Sequence, residues 1–565
     1  MKMTGAKMVI ESLHQEGVEV VFGYPGGAIM NVYDEIYKQN YFQHILNRHE
    51  QASIIAAEGY ARATGKTGVA IVTSGPGFTN AITGIADAYM DSIPLVVISG
   101  QVPTTIIGTD GFQEIDAVGI SRPCTKHNYL VNNIADLPRI IKEAFHLAST
   151  GRPGPVHIDI PKDITAQVGE FIYPSEVNMP TYKPTINYNK KQLKRAMEAI
   201  SNAKKPLLYI GGGAILSNCA YEIRELSRRL NIPAVETLMA RGAMGDKNPL
   251  FFGMLGMHGE YAANMAAYET DLLISLGARF DDRVTGRLDE FASKAKIIHI
   301  DIDPTSIAKI KVPDYPIVGD LKVTVQAMLD EIENYKVNDF SNWIELLRDY
   351  REKEPLRFID SQEVLKPQWV IKRVGELLDD KAIVSTDVGQ HQMWTAQFYP
   401  FSYPRQWITS GGLGTMGFGL PAALGAVKAF DNEEKVVINF TGDGSILMNI
   451  QELMTCTEYK LPVINIVLNN NYLGMVRQWQ TMFYDNRLSE TDLSAQPDFK
   501  MLAESFGGVG YKVFTKDEFD KALNDAVSQK KVAMIEVMVA RDEEVLPMVP
   551  NGHSLNEMTL LKGGK

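Results

Sequence analysis

The sequence predicts an α/β protein with three doubly wound domains, each built on a parallel β-sheet between layers of helices. Three observations carry this prediction. Short, continuously apolar runs rich in Val and Ile alternate with helical patterns, which is typical of parallel strands covered on both faces. Gly, Asp or Asn follows almost every run. Two less regular stretches divide the chain into three blocks of about the size of single domains.

The apolar runs are predicted to be the central strands of the sheets. They are GVEVVFG, TGVAIVTSGPG, IPLVVISGQ, KPLLYIGGG, TDLLISLGA, AKIIHIDID, KAIVSTDVG, KVVINFTGDG and LPVINIVLNN. In open α/β sheets, ligands bind beyond the carboxyl ends of the strands. The residues that follow these runs are therefore where we expect a site.

Two irregular stretches set the predicted domain limits. Residues 166–190 carry prolines without clear periodicity, and residues 335–367 are heavily charged and predicted to contain some helix. The predicted domains are residues 1–165, 190–335 and 366–545, followed by a C-terminal tail of residues 546–565.

Composition excludes several classes of function. The 565-residue chain has a net charge of -12, which disfavours nucleic acid and anionic membranes as partners. No apolar run approaches the roughly 20 residues that a membrane span needs. The three cysteines, Cys124, Cys219 and Cys456, form neither a disulfide framework nor a zinc-ligand pattern. A cytoplasmic location is expected.

The segment from Gly442 to Asn470 predicts a metal and diphosphate site. Asp443 follows the strand KVVINF, and Asn470 follows the strand LPVINIVL, with a helical pattern between the two strands. A strand–helix–strand unit brings both strand ends to one edge of a parallel sheet. Carboxylate and amide oxygens suit Mg²⁺, and Gly442 and Gly444 allow a diphosphate to approach the backbone. The alternative is a tight turn in which Asn470 is only a turn residue.

This GDG…NN pattern resembles the diphosphate-binding signature of thiamine diphosphate enzymes. The resemblance implies the fold of that family, with a pyrimidine-binding first domain and a diphosphate-binding and Mg²⁺-binding third domain. It also implies a carboxylate for the cofactor's aminopyrimidine ring, and Glu50 fits, because it follows a predicted strand at residues 44–47. The alternative for Glu50 is a helix N-terminal acid favoured by the helix dipole. In this family the first domain of one chain faces the third domain of another.

Further motifs cover nearly the whole chain and are similar to those of acetolactate synthase (acetohydroxyacid synthase) catalytic large subunits of the bacterial biosynthetic type. They include FGYPGGAI, TSGPGFTNAITGIADAYMDSIPLVVISGQVP, GRPGPVHIDIPKD, GARFDDRVTGR, SGGLGTMGFGLPAA and NNNYLGMVRQWQ. The resemblance implies that pyruvate is decarboxylated on thiamine diphosphate. The two-carbon unit is then joined to pyruvate or 2-oxobutyrate, giving 2-acetolactate or 2-aceto-2-hydroxybutyrate for branched-chain amino-acid biosynthesis.

The same resemblance implies the cofactors and partners. The RFDDR motif accompanies an FAD in the central domain, to which the family assigns no redox role in this reaction. From the residues alone, YIGGGAI is a weak signal that also fits an NAD site or a turn, since it lacks G-x-G-x-x-G. Asp301 ends a strand and suits an adenosine ribose. The expected partners are small 2-oxo acids, a second copy of the chain in a homodimer or dimer of dimers, and a small regulatory subunit.

Site residues are carried over by motif. The predicted catalytic residues are Glu50, Gly27, Phe112, Gln113, Lys162 and Met416. The predicted cofactor-binding residues of the third domain are Gln390, His391, Gly414, Met416, Gly442, Asp443, Gly444, Ser445, Asn470, Tyr472 and Met475, with Asp443, Asn470 and the Tyr472 carbonyl on the metal. Those expected elsewhere in the chain are Arg152, Gly211, Gly212, Gly213, Met257, His258, Gly277, Arg279, Asp281, Arg283, Asp301, Ile302 and Asp320.

Three residues are predicted to contact the substrate. Arg283 suits the acceptor's carboxylate, because a guanidinium can donate two hydrogen bonds to it; the alternative is a salt bridge inside RFDDR. Trp479, with Val476, is expected to form an apolar wall that prefers 2-oxobutyrate; the alternative for Trp479 is an aromatic on an amphipathic helix.

Met416 is expected to wedge under the cofactor, and its alternative role is core filling.

The sequence departs from the family pattern at three positions. Ile55 stands where His is common, Phe78 where Ala is usual, and Gly111 where Ala is usual. Competing functions are a pyruvate oxidase, a 2-oxo acid decarboxylase, or a non-catalytic nucleotide-binding protein on the same scaffold. Intact Glu50, Asp443 and Asn470 argue against the last of these.

Overall fold

The computed structural model describes residues 1–430 and 434–561. It contains three six-stranded sheets in which every strand pairing is parallel, and helices cover them. This confirms the predicted fold class. Each six-stranded sheet lies inside one of the three predicted ranges. No helix in the described part of the chain is long and apolar enough to cross a membrane.

The first sheet has the strand order β3-β2-β4-β5-β7-β6, and β1 pairs with β8 in a separate antiparallel ribbon. The strands are β1 (Lys2–Thr4), β2 (Val20–Gly23), β3 (Gln43–Leu46), β4 (Gly68–Val72), β5 (Leu95–Gln101), β6 (His127–Leu130), β7 (Pro155–Pro161) and β8 (Val168–Glu170). The helices are α1 (Gly5–Gln15), α2 (Met30–Lys38), α3 (Glu50–Thr64), α4 (Pro76–Asp91), α5 (Ala117–Ser121), α6 (Leu137–Ser149) and α7 (Lys162–Ala166).

The second sheet has the order β11-β10-β9-β12-β13-β14. Its strands are β9 (Pro206–Ile210), β10 (Ala234–Glu236), β11 (Phe251–Met254), β12 (Leu272–Leu276), β13 (Lys296–Asp301) and β14 (Tyr315–Val318). The helices are α8 (Lys190–Asn202), α9 (Gly213–Leu216), α10 (Ala220–Leu230), α11 (Tyr261–Glu269), α12 (Asp282–Thr285), α13 (Leu321–Glu331) and α14 (Ser341–Lys353). The last helix lies in the charged stretch that was predicted to contain some helix.

The third sheet has the order β16-β15-β17-β18-β20-β19. Its strands are β15 (Ala382–Thr386), β16 (Trp407–Ile408), β17 (Val436–Gly442), β18 (Val463–Asn469), β19 (Val509–Val513) and β20 (Ala533–Met538). The helices are α15 (Pro367–Leu378), α16 (Gln390–Phe398), α17 (Gly419–Ala429), α18 (Asp443–Ile446), α19 (Glu452–Glu458), α20 (Gly474–Phe483), α21 (Phe499–Ser505) and α22 (Lys516–Gln529).

The nine predicted apolar runs all correspond to strands of these sheets. Their apolar side chains are buried, as expected for strands covered by helices on both faces. Two details differ from prediction. The strand before Glu50 ends at Leu46, not at residue 47. The helical pattern after Asp443 forms two short helices, α18 and α19, with turns between them.

The first and third domains pack directly through α3 and α17. The two helices approach so closely that a methyl group on Gly59 would clash with the Ala422 carbonyl, and one on Gly425 with the Ala56 carbonyl. Glycine therefore permits the contact. It fixes the helix that begins at Glu50 against the domain that carries Asp443.

Candidate cofactor and active site

The predicted metal ligands lie at one edge of the third sheet. β17 and β18 are parallel neighbours, with Gly442 opposite Leu468. Asp443 follows β17 at once, and Asn470 follows β18 at once. The predicted strand–helix–strand topology is therefore confirmed, and both residues lie at the carboxyl ends of adjacent strands.

Asp443 is a buried carboxylate held by amides. Its side chain is only 2% exposed, and Gln496 donates from Nε2 to Asp443 Oδ2 at 2.5 Å. Asn469 in turn donates from Nδ2 to Gln496 Oε1 at 2.7 Å. Burial raises the Asp443 pKa to about 6. A divalent cation would compensate the buried charge far better than amide hydrogen bonds do. Sequence reasoning missed Gln496, which lies in a loop without a motif.

The other two predicted ligands are ordered by local hydrogen bonds. Asn470 accepts at Oδ1 from the Tyr472 backbone N–H at 3.1 Å, and its Nδ2 donates to Gln390 Oε1 at 3.3 Å. Tyr472 lies opposite Asp492 in an isolated antiparallel bridge. The backbone bonds beside this bridge run from Leu473 to Thr491 and from Leu493 to Asn471, so neither uses the Tyr472 carbonyl.

His391 has the properties of a hydrogen-bond donor to a phosphate group. It is buried against Gly442, and burial lowers its pKa to about 3, so the ring is neutral. Its Nε2 has no hydrogen-bond partner among the described residues. A neutral imidazole can donate one N–H, and a buried donor without a partner is costly. The residues present therefore fit a diphosphate beside β17 and β18.

The predicted loop under the cofactor precedes α17. Gly414 has a φ of +74° and Gly417 a φ of +82°, which only glycine adopts without strain. Met416 lies between them, half-buried, and Ser445 donates from Oγ to the Val388 carbonyl at 3.2 Å. Gly444 follows Asp443 inside α18.

The predicted catalytic residues of the first domain follow four strands of its sheet, β3 and β2 on one side of β4 and β5 and β7 on the other. Gly27 follows β2, Glu50 follows β3, Phe112 and Gln113 follow β5, and Lys162 follows β7. Phe112 is 90% exposed and Lys162 is also exposed, while a methyl group on Gly27 would meet no atom within 4 Å. The carboxyl edge of this sheet is thus an open surface lined by these predicted side chains.

Glu50 is the first residue of α3 and is held from one side. Asn80 on α4 donates from Nδ2 to Glu50 Oε2 at 3.0 Å. The other oxygen, Oε1, faces Gly77, where an added methyl carbon would lie 3.3 Å from it. One carboxylate oxygen is therefore positioned by the fold, and the other remains for a ligand.

A cavity of about 640 Å³ lies between the central domain and its neighbours, and most of the residues predicted for FAD line it. The predicted residues in its wall are Arg152, Gly211, Gly212, Gly213, Gly277, Arg279, Asp281, Arg283, Asp301, Ile302 and Asp320. Met257 and His258 do not line it; the Met257 N–H donates to the Arg283 carbonyl, and the His258 carbonyl accepts from Gln397. The cavity also contacts Met90, Asp91, Ser92 and Gly411, which were not predicted.

The cavity wall suits a dinucleotide-sized ligand. Gly213 and Gly277 pack so closely that a methyl group on Gly213 would lie 2.8 Å from the Gly277 Cα, and Gly277 has a φ of +65°. Arg152 donates from Nε to Ser92 Oγ at 2.8 Å. Burial raises the Asp301 pKa to about 6. Glycine backbone, an arginine and a carboxylate at a strand end are the groups that bind pyrophosphate and ribose.

The predicted substrate residues lie at two places. Arg283 projects from α12, and its nearest carboxylate contact, Asp282, is 3.9 Å away and exposed, whereas Arg279 pairs with Asp281 at 2.7 Å. The alternative salt bridge for Arg283 is thus weak. Met475, Val476 and Trp479 share α20, and the last two are partly exposed.

The three residues expected to depart from the family pattern lie in defined environments. Phe78 is fully buried and stacks on His157, with ring centroids 4.3 Å apart. Ile55 is fully buried inside α3. The Gly111 N–H donates to Glu114 Oε2 at 2.9 Å in the loop that carries Phe112.

Family models match all three domains. They are the thiamine pyrophosphate enzyme N-terminal TPP binding domain at residues 3–120, the central domain at residues 193–328, and the C-terminal TPP binding domain at residues 387–537. With the geometry above, they define the class as a thiamine pyrophosphate enzyme.

Full-length relatives narrow the class. The chain is 49% identical to the acetolactate synthase large subunit of Haemophilus influenzae and 48% identical to the acetolactate synthase isozyme 3 large subunit of Escherichia coli, covering 99% of each chain in both cases. It is 46% identical to the acetolactate synthase of Mycobacterium leprae, across 100% of this chain and 91% of that one. The chain belongs to the family of acetolactate synthase large subunits.

Proposed function

We propose that this chain decarboxylates pyruvate and joins the remaining two-carbon unit to pyruvate or 2-oxobutyrate, yielding 2-acetolactate or 2-aceto-2-hydroxybutyrate. The observation that carries the proposal is the edge formed by β17 and β18. There a buried carboxylate, an amide and a neutral histidine with a free nitrogen converge, in a chain similar to acetolactate synthase large subunits from end to end.

The third domain would hold thiamine diphosphate and Mg²⁺. Asp443, Asn470 and the Tyr472 carbonyl are the proposed metal ligands. His391 and the backbone at Gly442 and Gly444 would bind the diphosphate, with Gln390, Ser445, Gly414 and Met475 around it and Met416 beneath the rings. When bound, the cofactor supplies a carbon nucleophile and accepts the electron pair left when carbon dioxide departs.

Glu50 would act on the far ring of the cofactor bound by a second chain. Its Oε2 is fixed by Asn80, so Oε1 is free to exchange a proton with the pyrimidine ring nitrogen. Proton transfer by a positioned carboxyl group typically contributes about 10²–10⁴-fold. Gly27, Phe112, Gln113 and Lys162 would line the reacting region above this carboxyl group.

The central cavity would hold FAD, with no redox role in this reaction. Asp301 is the proposed partner of the adenosine ribose, and the glycines at residues 211–213 would approach the pyrophosphate. Arg152, Gly277, Arg279, Asp281, Ile302 and Asp320 would complete the wall. Met257 and His258, which do not line this cavity, are also proposed as cofactor-binding residues.

Two side chains would set the choice of acceptor. Arg283 has no strong carboxylate partner among the described residues and would bind the carboxylate of the second 2-oxo acid. Trp479 and Val476 on α20 would contact its alkyl group.

The working assembly would contain at least two large subunits. We propose a homodimer or dimer of dimers, because in thiamine diphosphate enzymes the first domain of one chain, which here carries Glu50, faces the third domain of another, which here carries Asp443. We also propose a small regulatory subunit as a further partner. The proposed domains remain residues 1–165, 190–335 and 366–545, with the tail at 546–565.

A carboligation assay tests the proposal. Wild-type protein with thiamine diphosphate, Mg²⁺ and FAD is given pyruvate, with and without 2-oxobutyrate, and the products are identified. Acetolactate supports the proposal. Hydrogen peroxide would indicate a pyruvate oxidase, and free aldehyde would indicate a decarboxylase.

The matched variants are Glu50→Gln and Glu170→Gln. We expect Glu50→Gln to fold and bind flavin while losing about 10²-fold or more of its turnover. Glu170→Gln changes an exposed glutamate of β8 and should keep wild-type activity. Full turnover in Glu50→Gln would refute the assigned role.

A further inference from the structure

Four charged side chains form a buried cluster between α3 and α4. Glu58 and Arg62 lie on α3, and Asp87 and Asp91 lie on α4; their side chains are 0%, 6%, 0% and 2% exposed. Arg62 Nη2 lies 2.5 Å from Glu58 Oε1, 2.7 Å from Asp91 Oδ2 and 3.7 Å from Asp87 Oδ1. We call these four residues the α3–α4 charge cluster. None of them was predicted as part of a site.

The cluster supplies its own cation. Oxygens of the three carboxylates lie within 4.8 Å of one another, a spacing that would also suit a metal ion. The Arg62 guanidinium, however, already lies within ion-pairing distance of all three carboxylates. Burial raises the pKa of Glu58 and of Asp87. The arrangement is therefore a built structural element of the fold.

The cluster binds the loop that leads to Met416. Ser410 donates from Oγ to Asp87 Oδ2 at 2.5 Å, and Thr415 donates from Oγ1 to the same oxygen. The Gly411 N–H donates to Asp91 Oδ2 at 2.9 Å. Residues 410–415 of the third domain are thus anchored to two helices of the first domain. The next residue is Met416.

The same residues also form part of the flavin cavity. Asp91 and Gly411 line the cavity, as does Ser92, whose Oγ accepts a hydrogen bond from Arg152 at 2.8 Å. Gly412 passes so close to α4 that an added methyl group would lie 2.7 Å from Asp91 Oδ1. A ligand in the cavity would therefore press on one side of the 410–415 loop, while the thiamine site lies at its other end.

We propose that the α3–α4 charge cluster couples the two cofactor sites: a flavin in the central cavity orders the 410–415 loop through Asp91 and Gly411, and Asp87 transmits this order to Met416. Asp87, Asp91, Arg62 and Glu58 are positioning residues in this account. The inference rests on the proposed binding of both cofactors. In this proposal the flavin takes part in no redox step and serves to order the 410–415 loop.

The test measures thiamine diphosphate affinity in Mg²⁺ buffer, by titration of flavin-free protein with and without saturating FAD. We expect FAD to tighten thiamine diphosphate binding of the wild type by about 5-fold or more, and thiamine diphosphate to tighten FAD binding equally. In Asp87→Ala, the fold-change that one cofactor causes in the affinity for the other should fall to about one. Asp87→Asn, which still accepts from both hydroxyls, should keep most of the coupling.

Two further variants separate coupling from folding. The double change Ser410→Ala with Thr415→Val removes the loop's hydroxyl donors while leaving the cluster intact, and it should also abolish the coupling. Glu236→Gln alters another buried carboxylate, paired with Arg241 at 3.2 Å, and should leave the coupling at the wild-type value.

The outcomes are distinct. If both cofactors bind the wild type but neither affects the other, this inference is wrong and the proposed function stands. The same holds if Asp87→Ala and the double variant couple as the wild type does. If the wild type binds neither cofactor, the proposed function itself fails.

Discussion

Two buried acidic sites of this protein differ in whether the chain itself supplies a cation to balance the carboxylates. In the α3–α4 charge cluster, three carboxylates surround a guanidinium that the chain itself provides. At the edge of β17 and β18, the donors to Asp443 among the described residues are amide groups, and the Nε2 of the neutral His391 ring has no hydrogen-bond partner among them. The first site is therefore complete within the chain, whereas the residues of the second fit the proposed Mg²⁺ and diphosphate.

The largest expected effect comes from removing the carboxylate at the incomplete site. Asp443→Ala should abolish Mg²⁺-dependent binding of thiamine diphosphate and lower turnover on the order of 10³-fold, since a metal ion contributes several kcal/mol. Titration calorimetry and the carboligation assay measure the two effects. Asp525→Ala, which removes a carboxylate of α22 that accepts from Tyr511, is the control. Undiminished cofactor binding in Asp443→Ala would remove the contrast between the two sites.

Removing the built-in cation should damage the fold instead. Arg62→Met leaves three buried carboxylates without their guanidinium, and breaking such a group costs about 3–5 kcal/mol of stability. Chemical denaturation followed by circular dichroism measures the loss. Arg348→Met, in the exposed Arg348–Glu345 pair, should cost under about 1 kcal/mol. Equal stability of the two variants would show that the cluster is not completed by Arg62.

A third buried carboxylate predicts a dependence on pH. Asp159 accepts from Ser99 at 2.6 Å and from Gln101 at 2.9 Å, and burial raises its pKa from 3.8 to about 7. The folded state therefore holds this proton more tightly, and the stabilisation is complete below pH 3.8 and lost as pH rises to about 7.

Asp159→Asn removes that dependence. The melting temperature of the variant minus that of the wild type should rise between pH 4 and pH 7 and then level off. His157 in the same network has a pKa lowered to about 3, which opposes the trend in both proteins and cancels in the difference. A difference that does not change with pH would contradict the raised pKa of Asp159.

The smallest expected effect concerns the choice of acceptor. Trp479→Leu should reduce the preference for 2-oxobutyrate over pyruvate by about 10-fold, within the 1–3 kcal/mol that a methylene contributes in an apolar pocket. Competition between the two acceptors, with both products quantified, measures the ratio. Phe514→Leu, an exposed aromatic of the same domain, should leave the ratio unchanged. An unaltered ratio in Trp479→Leu would leave that residue without the assigned role.

Sequence reasoning succeeded where a pattern is local and periodic. The apolar runs predicted the central strands, and strand–helix–strand topology placed Asp443 and Asn470 at one edge. The same logic put Glu50 at the start of a helix after a strand. Short strands such as β10 and β16 were not predicted, because runs of three and two residues carry no readable period.

Contacts between segments that are distant in the chain could not be predicted from the sequence. Gln496 reaches Asp443 from a loop without a motif, and the charge cluster joins α3, α4 and the 410–415 loop across more than 300 positions of the chain. A partial signal existed, since Glu58 with Arg62 and Asp87 with Asp91 have the four-residue spacing that shares a helix face. That spacing alone also fits exposed charged residues on a helix surface. Only the structure shows that these side chains are buried.

One measurement tests the central claim, that a site is completed by two chains. Differently tagged Glu50→Gln and Asp443→Ala chains are co-expressed, and assemblies carrying both tags are purified and assayed. If each site takes Glu50 from one chain and Asp443 from the other, a mixed dimer has one intact site and should recover about half of the wild-type activity. Activity no higher than that of either parent variant would mean that both residues must come from the same chain, and would contradict the account.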